Sequence, residues 1–175
     1  MWYRIIFAIN LLFSFYSFGQ KQVSTVVGDT NSQAYILIKI EVSDSVRIIL
    51  DGPSESWFAI GFNTNRMAIG TDVVLVPALV SDSTLLPYDS YITGYGPPKK
   101  DRQDWVIQTI QLHGKRTMTK MVRALKGESE KDFDFTPYFN QVNNLDIIWA
   151  IGPSKNFSPD YHGRVKGSRK LIFTN

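Results

Sequence analysis

Along most of the chain, apolar residues either alternate with polar ones or fall in short runs bounded by turn residues. The three-to-four spacing of an amphipathic helix is hard to find. In residues 34–42, Tyr35, Leu37 and Lys39 share one face while Ile36, Ile38 and Ile40 share the other. The Ser43-Asp44 turn then leads into residues 45–51, so the two segments form a hairpin. After the break Gly52-Pro53-Ser54-Glu55-Ser56, residues 57–62 form an apolar strand with Trp57 and Ala59 on one face and Phe58, Ile60 and Phe62 on the other. Both faces being apolar predicts burial inside a sandwich, and Gly61 marks a place where a side chain has to be absent. Residues 63–70 form a loop carrying Met67, and residues 71–77 are the next strand.

Residues 88–96, rich in Tyr and Gly and ending at Pro97-Pro98, read as an edge strand or loop. Residues 105–112 and 117–125 flank a His113-Gly114-Lys115 turn and make a second hairpin. Residues 129–143 are polar and irregular, pinned by Phe133, Phe135, Tyr138 and Phe139; residues 145–152 are again a strand, and residues 170–173 close the fold. About ten short strands with such punctuation predict an all-β sandwich. No repeat, low-complexity tract or linker divides the chain, so one domain is expected.

The start of the chain departs from this pattern. Arg4 precedes the apolar residues 5–18, and Ser17 and Gly19 stand where a signal peptidase would cut. The run is shorter than the roughly 20 residues of a membrane span and is interrupted by Asn10, Ser14 and Ser17. The expected organisation is a signal peptide over residues 1–19 and a domain over residues 20–175, exported to a periplasm or the extracellular space, with no membrane span once the signal is removed.

The chain has no cysteine. Disulfides, zinc–thiolate sites, iron–sulfur clusters, thiol nucleophiles and thioether-linked haem are all excluded. An exported domain without disulfides points toward a bacterial envelope. The formal charge of +3 is small and the basic residues are scattered among acids, which argues against a nucleic-acid partner. The clusters Lys99-Lys100-Asp101-Arg102 and residues 166–170 read as solvated loop charge, with docking of an acidic redox partner as the other reading.

Catalytic signatures are absent: there is no Gly-x-Ser-x-Gly elbow and no His-Glu-x-x-His run. No carboxylate pair stands out for glycoside hydrolysis. Asp72, Asp132 and Asp134 read as turn-fixing groups, and Glu128, Asp132 and Asp134 as oxygen donors for calcium without EF-hand spacing. A carrier or binding domain is therefore expected rather than an enzyme. Two soft donors remain, Met67 and His162, each just beyond an apolar strand. A loop methionine is usually packing and a loop histidine is often a surface group. Brought to one rim by a folded sandwich, however, a thioether and an imidazole would suit a haem iron.

Several stretches taken together resemble the DOMON domain, a module of dopamine beta-monooxygenase and of the haem-carrying cytochrome part of cellobiose dehydrogenase. They are Trp57-Phe58-Ala59-Ile60-Gly61-Phe62-Asn63, Met67 followed by Gly70-Thr71-Asp72-Val73-Val74, Trp105, Val122-Arg123-Ala124-Leu125, and Ile148-Trp149-Ala150 with Tyr161-His162 and Gly167. The resemblance implies an immunoglobulin-like β-sandwich with a ligand pocket at one end. It further implies non-covalent haem b with Met67 and His162 as axial metal ligands, and electron transfer, or haem or redox sensing, with a partner protein the sequence does not name. Pocket walls are then expected from Trp57, Phe62, Val74, Trp149 and Tyr161, and propionate partners from Arg123 and Arg164. Because the family includes members without haem, the alternative is a haem-free module binding a carbohydrate or another small ligand at its aromatic rim.

Overall fold

The computed structural model describes residues 20–78, 86–153 and 162–175. The expected signal segment and Tyr161 lie outside the described residues. Numbered along the chain, β1 (Lys21–Asp29), β2 (Ala34–Val42), β3 (Ser45–Pro53), β9 (Arg116–Ala124) and β8 (Val106–His113) form one sheet in that spatial order. The second sheet runs β11 (Lys166–Ile172), β10 (Asn144–Ile151), β4 (Phe58–Phe62), β5 (Asp72–Val76), β6 (Tyr88–Tyr91) and β7 (Lys99–Lys100). Neighbouring strands are antiparallel throughout. The architecture is the β-sandwich that the alternating pattern implies.

The inner faces are written in the alternation. Ile36, Ile38, Ile40 and Val42 on β2 and Val46, Ile48 and Leu50 on β3 are fully buried, while Tyr35, Lys39, Arg47 and Ile49 point away from the core. They pack against Phe58, Ile60 and Phe62 of β4, Val74 and Val76 of β5, and Leu145 and Ile147 of β10 from the other sheet. Fully burying each such aliphatic contributes about 1.5–3 kcal/mol, and these residues make one continuous core. An aromatic group closes one end of it: Phe62, Phe133, Phe135 and Tyr138 meet with ring centroids 4.7–6.2 Å apart. Tyr138 is placed there by α1 (Thr136–Asn140), a single turn with Pro137 at its start.

Four local details differ from the sequence-based expectation. β1 is a full strand although only Lys21 and Val27 of it are buried, because its nine-residue pairing with β2 does not need an apolar face. Gly52 and Pro53 belong to β3 and pair with Thr117 and Arg116, and a Cβ at Gly52 would fall 2.6 Å from the Phe58 ring. Residues 88–91 are an inner strand, since the two residues of β7 cover their outer edge. The second hairpin turns in two residues, with Gly114 at φ 61° supplying the left-handed conformation the tight turn requires. Among the described residues no helix is long and apolar enough to cross a membrane.

Candidate functional site

β4 and β5 are buried at all ten of their positions, yet only one face of each meets the opposite sheet. The other face forms a separate apolar group of Trp57, Ala59, Val73, Leu75 and Ile92, with Ile148 and Ala150 of β10 packed against it. These residues floor a pocket of about 630 Å³ on the outer side of the six-stranded sheet. That volume lies within the roughly 300–1,000 Å³ typical of small-molecule and cofactor sites. Gly61 helps to keep the floor low: a Cβ there would come within 2.9 Å of Ile148 and 3.0 Å of Thr71. Trp57 sits against Gly152, where any side chain would strike the indole.

Two loops bring the donors to the rim. Asn63 (φ 57°) ends β4 and starts a loop in which Thr64 Oγ1 donates to the Arg66 carbonyl at 2.6 Å and accepts from the Arg66 N–H at 3.2 Å. At its far end Gly70 (φ 84°) donates to the Ile92 carbonyl at 2.7 Å, and Thr71 Oγ1 donates to Ala68 at 2.8 Å. Held at both ends, the loop presents Met67 at the pocket, 42% exposed. Across the rim His162 precedes Gly163 (φ 61°), and its Nδ1 lies 3.1 Å from the Gly163 carbonyl oxygen. A carbonyl oxygen can only accept, so Nδ1 is the donor in this contact, and in the neutral ring Nε2 then carries the lone pair.

Met67, His162, Trp57 and Trp149 thus border one cavity. Trp149 is partly buried and packs against the inter-sheet core as well. Phe62 and Val74 do not reach the pocket. They are on the opposite faces of their strands, in the inter-sheet core, because side chains one residue apart on a strand point to opposite sides. Arg123 is also elsewhere: its guanidinium is fully buried and donates to Asp72 at 3.1 Å, Asp104 at 3.3 Å and the Phe133 carbonyl at 2.7 Å. Arg164 is exposed and outside the pocket wall, and Tyr161 falls outside the described residues.

The cations that do stand on the rim are Arg66 and Lys166, and among the described residues the pocket wall contains no carboxylate. Neither was expected from the sequence, because Arg66 looks like any loop charge until its neighbour Met67 is known to face a cavity. Leu75 and Ala150 could have been found, since strand alternation places them with Val73 and Ile148.

The sequence model of the DOMON domain family matches residues 30–152. The chain belongs to the DOMON domain family. That match includes the Met67 loop and ends before His162. No curated protein matches the chain in sequence. Among solved structures, this DOMON domain is similar to the cytochrome b domain of pyranose dehydrogenase from Coprinopsis cinerea. The TM-score is 0.59 at 12% identity, over 85% of this chain and 81% of that one. It is also similar to the cytochrome domain of Myriococcum thermophilum cellobiose dehydrogenase, with TM-score 0.52 and 11% identity over 86% and 88% of the two chains. At such identities the likeness is one of fold. The bacterial envelope expected from the missing cysteines finds no support among these neighbours.

Proposed function

We propose that this DOMON domain holds haem b without covalent attachment and works as an exported electron carrier, or as a haem or redox sensor, rather than as a catalyst. The observation that carries the reading is the composition of one pocket: one thioether, one imidazole, an apolar floor, and two rim cations without a carboxylate. Met67 Sδ and His162 Nε2 would hold the haem iron. Arg66 and Lys166 would pair with the two carboxylates of the porphyrin, in place of the Arg123 and Arg164 suggested by the sequence. Ala59, Val73, Leu75 and Ile92 exclude water from the floor, and the Gly163 carbonyl orients the imidazole. Bound there, the group would supply one-electron chemistry at iron. The two solved neighbours, a cytochrome b domain and a cytochrome domain, support the same reading.

The test is an absorption spectrum of the purified protein after haem addition and desalting, oxidised and then dithionite-reduced. A retained Soret band with resolved α and β bands on reduction is expected, lost in Met67→Ala and in His162→Ala. Folded protein that desalts colourless would overturn the proposal. One observation favours a second reading: Tyr95 stands fully exposed on the rim beside Pro98, as a ring on which a sugar face could stack. A haem-free carbohydrate-binding module would then lose its ligand in Tyr95→Ala and keep it in Met67→Ala.

A further inference from the structure

On the inner side of the same sheet, away from the pocket, four carboxylates are buried around a single guanidinium. Asp72 opens β5, Asp89 lies on β6, Asp104 precedes β8 and Asp132 lies in the loop after β9. The side chains of Arg123, Asp72, Asp104 and Asp132 are 0, 3, 7 and 2% exposed, and Asp89 is 1% exposed as a residue. Arg123 balances one negative charge and leaves a large excess if the acids ionise. Buried charge on this scale requires a counter-charge or protonation.

The hydrogen bonding is half complete in a particular way. The Phe133 N–H donates to Asp72 Oδ2 at 2.7 Å, the Ser90 N–H to Asp89 Oδ1 at 2.9 Å and the Ser129 N–H to Asp132 Oδ2 at 2.6 Å. Each carboxylate is therefore oriented through one oxygen. The other oxygens of Asp72 and Asp89 are buried and receive no hydrogen bond from any N–H or hydroxyl group, as is one oxygen of Asp104. A separate cavity of about 460 Å³ opens onto Asp72 and Asp132, with Glu130, Lys131 and Asp134 also in its wall. Gly127 backs the cluster, where a side chain would collide with Asp104, Asp132 and Arg123.

We propose that Asp72, Asp89 and Asp132 bind a divalent cation, calcium by their chemistry, which enters through the second cavity. One oxygen from each of the three lies within 4.8 Å of the others. Oxygens around calcium at about 2.3–2.6 Å stand at most about 5 Å apart, whereas around magnesium the limit is about 4.2 Å. The separations lie inside the calcium limit, and a set built entirely of protein oxygens suits calcium better than magnesium, which keeps several of its waters. Purely oxygen donors select a hard cation over zinc or copper. The ion would tie β5 and β6 to the loop after β9, and so brace the end of β5 from which the Met67 loop departs. Without it the excess charge is met by protons: burial, then the charge of Asp72, pushes Asp89 up to about 10, and burial pushes Asp132 up to about 6.

The test is calcium and magnesium titration of the chelator-treated full-length protein, by calorimetry and by thermal melting. Calcium should bind at one site and raise the melting temperature by about 5–10 °C at a hundred-fold excess over its dissociation constant, with magnesium weaker. Asp89→Asn mimics the protonated acid and should fold normally without the ion, so loss of calcium binding there, and in Asp132→Asn, reports on ligation. No heat and no shift in melting with millimolar calcium would overturn the proposal, as would undiminished binding in Asp89→Asn. Haem retention is read independently and decides neither outcome.

Discussion

Replacing Arg123 by Met keeps much of the length and apolar body of the side chain but removes its charge. The substitution abolishes three hydrogen bonds, to Asp72, Asp104 and the Phe133 carbonyl, and the 3.6 Å ion pair with Asp132. Because both sides of these pairs are at most 7% exposed, solvent cannot take over the lost interactions. Removing one partner from such a buried network costs about 3–5 kcal/mol. For a domain of this size that corresponds to a fall in melting temperature of about 6–20 °C. The measurement is thermal and urea unfolding of both proteins with chelator present, at neutral pH and again on acidification. Protonating the stranded carboxylates removes their mutual repulsion, so the deficit should shrink as pH falls. A deficit under about 1 kcal/mol at neutral pH would refute the account by matching an exposed ion pair. So would a deficit that does not depend on pH.

Three further outcomes are expected. In chelator, stability contributed by protonated Asp132 is fully present below its unfolded pKa of 3.8 and is lost as pH rises through about 6, so the wild type should weaken across that window and Asp132→Asn should flatten the decline, read from urea midpoints. Ala150→Trp, on the floor of the larger pocket and only partly buried, should leave the circular-dichroism spectrum and melting temperature nearly unchanged while preventing haem retention on desalting. Ile48→Ala, at a fully buried site in the opposite sheet, should cost about 2–5 kcal/mol in urea unfolding while the folded fraction still retains haem.

The strands that sequence made legible are those whose two faces differ chemically. β2 and β3 were visible because Ile36, Ile38, Ile40, Ile48 and Leu50 stand opposite polar or half-polar neighbours. The His113-Gly114-Lys115 turn was visible because glycine is favoured where φ is positive. The pattern identifies β4 as a strand and places its second apolar face in the sandwich interior, whereas that face is pocket floor. Apolar residues look alike whether they face a partner sheet or a cavity. Alternation nevertheless places Trp57 and Phe62 on opposite faces of the strand, and that constraint points to Phe62 as a core residue. The acid cluster was largely invisible: Asp72, Asp89, Asp104 and Asp132 come from four segments joined only by the topology. Among the calcium donors suggested by the sequence, Asp132 belongs to this cluster. Asp134 instead accepts from the Thr136 N–H, and Glu128 pairs with Arg102 on the surface.

The outer placement of the larger pocket has an evolutionary consequence. On β4, β5 and β10, successive residues answer to different requirements: one set holds the two sheets together, and the set between them shapes whatever the pocket contains. Exchanges among apolar residues of similar size at Ala59, Val73, Leu75 or Ala150 can therefore reshape the pocket while the inter-sheet core stays as it is. A lineage can change what the pocket accepts through every second position while inheriting the same scaffold. The backbone of this sandwich can then persist while only about a tenth of the residues stay the same.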